Sequence, residues 1–171
     1  MKIQGPALHL VRKGEELNFA KSELPVSQKT ANEWLSKLAA IRVKSVVAEG
    51  AEDKWPAARE LFIPADAPRL DFGFGASEIS FTLGHKLGTG RQFYMLVRPK
   101  GRAGNTPKLV VGEDSSPEEG MYDGSGHGTS DSKYKKAQGL FLAPEELFLD
   151  LSPWGAERSA RWEGAARRMT F

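Results

Sequence analysis

Apolar positions change their spacing several times along the chain, and each spacing predicts a different element. In ALHLVRKGEELNFAK (7–21), Leu8, Leu10 and Val11 precede a turn at Lys13-Gly14-Glu15. Leu17 and Phe19 then alternate with polar neighbours, which predicts a β-hairpin. From Ser27, a good N-cap, Ala31, Trp34, Leu35, Leu38 and Ile41 recur at three- and four-residue spacing, the apolar stripe of a helix. Arg42 and Lys44 fall near its expected end, where positive charge suits the helix dipole. Val43, Val46 and Val47 are β-branched and predict a strand directly after it. EDKWPAARELF (52–62) reads as a short helix with Pro56 in its first turn, closed by Pro64 and Pro68.

The spacing then switches to two. RLDFGFG puts Leu70, Phe72 and Phe74 on one face, and EISFTLGHKL puts Ile79, Phe81 and Leu83 on one face. GTGR (88–91) is a turn into QFYMLVR (92–98), and a loop over 99–107 leads to KLVVG. Residues 113–139 lack apolar periodicity apart from Met121 and Tyr122 and read as one long polar loop, a length usually reserved for function or disorder. LFLAPEELFLDL (140–151) reads as a strand, a break at Pro144 and one helical turn.

Strands that cluster, rather than alternating with helices, predict an α+β fold: an antiparallel β-sheet with one main amphipathic helix packed on one face. The other face is then expected to be solvated. Trp34, Leu35, Leu38, Phe72, Phe81 and Phe93 are the expected core, in one cluster between helix and sheet. The expected organisation is a single domain over residues 1–151. The remainder, 152–171, is arginine-rich but carries Trp154, Trp162, Met169 and Phe171. It reads as an extension that docks weakly or leads into a further segment.

Composition narrows the chemistry. The 24 basic and 22 acidic residues leave a net charge of +2, which demands neither nucleic acid nor an acidic partner. No cysteine is present, which removes disulfides, thiolate metal sites and cysteine nucleophiles together. No apolar run approaches the roughly 18 residues of a membrane span, and Met1-Lys2-Ile3-Gln4-Gly5-Pro6 is not a signal-peptide pattern.

The stretch MYDGSGHGTSDSKY (121–134) is the first candidate for chemistry. Its His127-Gly128-Thr129 is similar to the histidine motif of subtilisin-like proteases, and Ser125, His127 and Asp131 would be the catalytic group of a hydrolase. All three lie on one glycine-punctuated loop, however, and a triad needs partners held apart on a rigid frame, so the plain reading is a solvated loop. As a calcium loop starting at Asp123 it offers His127, which does not suit a hard cation, and Tyr134 where a bidentate glutamate is wanted, and His9 and His85 have no second imidazole nearby. No metal and no cofactor is therefore expected. GHKLGTGR (84–91) lacks the following helix of a phosphate cradle and reads as a hairpin turn. Between Glu78 and Glu113 the chain has Lys86, Arg91, Arg98, Lys100, Arg102 and Lys108 and no acid, with Phe93 and Tyr94 interleaved. That strip is the candidate polyanion or nucleic-acid surface, although acids at 113–123 could neutralise it.

LHLVRKGEELNFAKSELPVSQKTANEWLSKLAAIRVKSVVAE resembles the repeating unit of a bacterial domain of unknown function. DFGFGASEISFTLGHKLGTGRQFYMLV and GLFLAPEELFLDLSPW are similar to its next and closing elements. Members of that family are membrane-anchored, with the domain outside the cytoplasmic membrane, and are often encoded beside ABC transporters of the gliding-motility or auxiliary type. The resemblance implies an extracytoplasmic, periplasmic binding or scaffolding domain without enzymatic activity, its partners being protein components of a transporter. It implies no catalytic residues. This chain departs from the pattern in lacking the membrane helix and in the length of 113–139.

Overall fold

The structure is a computed structural model and describes residues 1–52, 55, 62–88, 91–101, 106–115 and 132–151. Among the described residues eight strands form one antiparallel sheet: β1 (Lys2–Gln4), β2 (His9–Lys13), β3 (Glu16–Phe19), β4 (Ile41–Glu49), β5 (Arg69–Phe74), β6 (Ser77–Leu87), β7 (Gln92–Lys100) and β8 (Lys108–Asp114). Their order across the sheet is β3-β2-β1-β5-β6-β7-β8-β4. Among the described residues it is accompanied by the helices α1 (Gln28–Ala39) and α2 (Ser132–Phe141), followed by a 3-10 turn at Glu145–Phe148. The fold is α+β, an antiparallel sheet with its main helix on one face.

Local chemistry accounts for most boundaries. β2 and β3 pair Lys13 with Glu16, and Gly14 (φ 63°) supplies the left-handed residue that the two-residue connection requires. Ser27 caps α1, its side chain accepting from the Thr30 backbone N–H. Gln28 in the first turn then reaches back to β3: its amide nitrogen donates to the Leu17 carbonyl at 2.7 Å while its oxygen accepts from the Leu17 N–H at 2.9 Å. α1 thus starts against one edge strand, β3, and runs into the other, β4, crossing the face of the sheet between them.

The main core lies between that face and the two helices. Trp34, Phe93, Leu83, Val110, Phe141 and Phe148 are buried in it. Trp34 stands edge-on to Phe148, with ring centroids 5.4 Å apart. α2 packs over the far end of β6–β8, where Tyr134 lies against Phe93 and its hydroxyl donates to the Gly84 carbonyl. Gly112 leaves room for the Phe93 ring, since a Cβ there would come within 2.9 Å of it.

The structure departs from the sequence expectation at several points. α1 stops at Ala39, and Ile41, Arg42 and Lys44 belong to β4. The β-branched run pairs with β8 over its whole length, and that pairing overrides the helical spacing of Ile41. β1 was not predicted; three residues ahead of Gly5-Pro6 show no readable alternation, yet Ile3 is buried between β2 and β5. Glu113 and Asp114 extend β8, and 132–139 is helical, so the stretch 113–139 is not a single loop. Tyr134, Ala137 and Phe141 are the inward face of α2, a periodicity hidden by placing a strand at 140. The opposite face of the sheet is not simply solvated either. Ile63, Leu96 and Leu109 form a second small cluster there, with Trp55, Phe62 and Tyr94 against it. The rest of the predicted helix 52–62 lies outside the described residues.

Candidate functional site

The helix covers the sheet unevenly, and the uncovered part is the site. The N-terminal half of α1 is fixed by Ala31 and Trp34, both buried. The Trp34 indole N–H donates to the Leu140 carbonyl at 3.0 Å. Beyond Trp34 the helix no longer closes onto the strands. Leu35, Leu38 and Ala39 overhang a groove of about 430 Å³. Its floor is Leu70, Phe72 and Phe74 from β5, Ile79 and Phe81 from β6, and Met95 from β7; Ile41 and Phe141 complete the lining. Every lining residue is apolar. Phe72 and Phe81 hold each other edge-to-face at 5.8 Å, so the floor has a defined shape.

Four of the six residues expected in the core are therefore not enclosed. Trp34 and Phe93 are buried, but Leu35, Leu38, Phe72 and Phe81 are half-buried at the groove. Strand alternation identifies which face a residue is on; it does not say whether anything covers that face.

Apolar residues continue across the same face of the sheet beyond the groove. Met95 pairs with Val110 across β7 and β8, and Val110 pairs with Val46 on β4, so one apolar row runs to the edge of the sheet. Val43, Val46 and Phe74 are 53%, 52% and 50% exposed, far above the core values. Met95 and Val110 are themselves buried, so exposed Val43 and Val46 form a patch on β4 separate from Phe74 at the groove. β4 is not built to add another strand along its edge. Two register shifts interrupt it, between Val43 and Ser45 and between Val46 and Ala48, and Lys44 is paired with Glu113. Bulges and edge lysines blunt strand-to-strand pairing, which leaves the face, not the edge, as the contact surface.

The basic strip is not assembled. Ser80 pairs with Arg98 and Glu78 with Lys100 on one face of the sheet, while Lys108 pairs with Val97 on the other. Arg98 makes a two-pronged ion pair with Glu52, which holds its guanidinium protonated beyond its ordinary range despite partial burial. Lys100 is 2.8 Å from Glu78 and Lys108 is 3.0 Å from Glu49. The hydrogen bond and charge of Lys108 in turn lower the pKa of Glu49. Lys86 lies near enough to Tyr134 to oppose the upward shift that burial gives the phenol. Arg91 is exposed at the turn before β7, and Arg102 lies outside the described residues. The neutralising acids Glu49 and Glu52 come from upstream of the strip, where the chain order gave no sign of them. The Glu78–Lys100 pair, in contrast, follows from the β6–β7 register.

Ser125, His127 and Asp131 lie outside the described residues. His9 donates its backbone N–H to Glu145 at 3.0 Å, and its ring is 4.0 Å from the same carboxylate; His85 is exposed. Among the described residues no three histidine, aspartate or glutamate side chains converge as metal ligands. No helix among them is long and apolar enough to cross a membrane. No protein-family model, curated protein or solved structure matches the chain.

Proposed function

We propose that this is a non-enzymatic binding and scaffolding domain that holds a partner protein through the groove between α1 and the sheet. The carrying observation is a shaped groove lined by apolar residues that stays open, with exposed Phe74 in its lining. Such a site recognises bulky aliphatic and aromatic side chains by desolvation and fit, with no charge to direct it. It suits the apolar stripe of an amphipathic helix from another protein. Burying one Leu or Phe side chain in it contributes about 1.5–3 kcal/mol, so two or three anchors would give a reversible, regulated association. The proposed setting is outside the cytoplasmic membrane, with a transporter component as the partner. The ion pairs of Arg98, Lys100 and Lys108 weigh against a polyanion as the ligand.

A photo-crosslinking residue in place of Phe74, at the rim of the groove, tests this in the native host. The expected product is a discrete adduct with one protein, identified by mass spectrometry and absent when the same residue replaces Lys13 on the β2–β3 turn. Adducts to lipid, or identical adducts from both positions, would overturn the reading.

A further inference from the structure

We propose that the face of the sheet opposite α1 carries a second binding site, built on Arg69, Thr82 and Trp55, for a small neutral molecule that presents a carbonyl oxygen. The site is independent of the groove.

Strand alternation sets it up. Ser80 and Thr82 point away from the face that carries Ile79, Phe81 and Leu83. The register places Arg69 of β5 directly beside Thr82, and Leu96 of β7 on its other side. Leu96 stands next to Leu109 of β8, and Trp55 packs against the cluster that these two form with Ile63. The approach of Trp55 is fixed by the backbone before it. Its N–H donates to the Glu52 carbonyl at 3.2 Å, and the Glu52 carboxylate is gripped by Arg98, two residues from Leu96 on the same face.

Among the described residues two enclosed side-chain polar atoms have no hydrogen-bond partner, Trp55 Nε1 and Thr82 Oγ1, and both belong to this spot. Thr82 is 7% exposed. An enclosed polar group without a partner costs stability, so a place that collects two of them is shaped for a molecule that supplies the partner. A third donor is adjacent. Arg69 uses Nε on Asp71, at 2.7 Å, and Nη2 on Ser80, at 2.9 Å, which leaves Nη1. The Arg69 side chain is 40% exposed, so the spot borders solvent there.

The chemistry of these groups defines the ligand. The indole and guanidinium nitrogens only donate, and the hydroxyl is able to. All three match one acceptor oxygen with two lone pairs. Charge decides which acceptor. Arg69, Arg98 and Lys100 are already balanced by Asp71, Glu52 and Glu78. A carboxylate would bring an unmatched negative charge into an enclosed place, and a neutral carbonyl does not. Ile63, Leu96 and Leu109 supply the apolar wall for a short aliphatic body.

Propionamide and propionate are the probes, alike in size and different in charge. The readout is the indole N–H magnetic resonance signal of Trp55 in the full chain, assigned by its loss in Trp55→Phe. Propionamide should move that signal downfield along a saturable curve, and propionate should bind more weakly. Thr82→Val keeps the shape and removes the hydroxyl. It should melt no lower than wild type, because it deletes an unpaired polar group, yet bind propionamide about tenfold more weakly. A Trp55 signal that propionamide leaves in place, including one that shows only a long-lived water beside the indole, would overturn the site. So would equal binding by wild type and Thr82→Val, or a Thr82→Val protein that melts lower, which would show the hydroxyl already partnered. Tighter binding of propionate than of propionamide would overturn the neutral carbonyl as the ligand.

Discussion

Replacing Trp34 with alanine removes the side chain that joins α1 to the end of α2 and to the 3-10 turn. Trp34 is 3% exposed and packs edge-on against Phe148, which is fully buried. Truncating a buried Trp costs about 3–5 kcal/mol through lost transfer energy and the cavity left behind. A second loss is specific to this site. The Leu140 carbonyl is in the last turn of α2, and the residue that would donate to it in a longer helix is Pro144, which has no N–H. The Trp34 indole supplies that donor. Trp34→Phe keeps much of the apolar volume but leaves the carbonyl without its indole partner, at a cost of about 1–2 kcal/mol. Urea unfolding followed by circular dichroism measures both changes, provided the denaturant slope stays constant. The expected order is wild type, then Trp34→Phe, then Trp34→Ala. A loss under about 1 kcal/mol for Trp34→Ala would refute the packing of α1 on the sheet. A Trp34→Phe protein as stable as wild type would refute the capping role of the indole.

Gly84→Ala should destabilise by about 2 kcal/mol or more, because a Cβ there runs into the Phe62 carbonyl, Ile63 and Tyr94; thermal unfolding reads it. Tyr134 has its pKa raised by burial, so the folded state favours the neutral phenol. Its contribution is fully present below about pH 10, the ordinary phenol value, and is lost as pH rises through the higher folded value. The stability difference between wild type and Tyr134→Phe should therefore shrink on the alkaline side, and a difference that grows there would contradict the burial. Binding to heparin or single-stranded DNA should be weak at low salt and unmeasurable near physiological ionic strength, because Arg98, Lys100 and Lys108 are already paired. A tight complex at that salt, lost in Arg91→Glu with Arg98→Glu, would show that the strip is a site after all.

The sheet was largely legible because its strands obey a local rule. Leu70, Phe72, Ile79, Phe81 and Leu83 alternate cleanly, Gly14 marks a turn that only a left-handed residue can make, and Ser27 caps its helix as its hydroxyl predicts. What was not legible depends on partners distant in sequence. Ile41 fits the helical stripe of α1, and only β8, some 70 residues later, turns it into a strand residue. Tyr134, Ala137 and Phe141 have helical spacing, but the polar stretch before them obscured where that helix starts. The groove was invisible for a more general reason. Leu35, Leu38, Phe72 and Phe81 have the pattern of core residues, and what separates them from the core is the line along which α1 crosses the sheet. The basic strip failed in the opposite way. No acid interrupts its charges along the sequence, but the pleat divides them between two faces and Glu52 reaches Arg98 from upstream.

Ile79→Asp is the most direct test of whether the groove is a docking surface or a loosely packed part of the core. A carboxylate at an open groove stays hydrated, so unfolding free energy in urea should fall by less than about 1.5 kcal/mol, whereas a charge forced into a closed core costs several. In the same variant the adduct formed from position 74 should disappear, because the partner's apolar anchors would meet a charge. A stable, folded Ile79→Asp protein that no longer captures its partner is the predicted result. A variant that loses core-sized stability, or one that captures the partner unchanged, would contradict the assignment of the groove as the binding site.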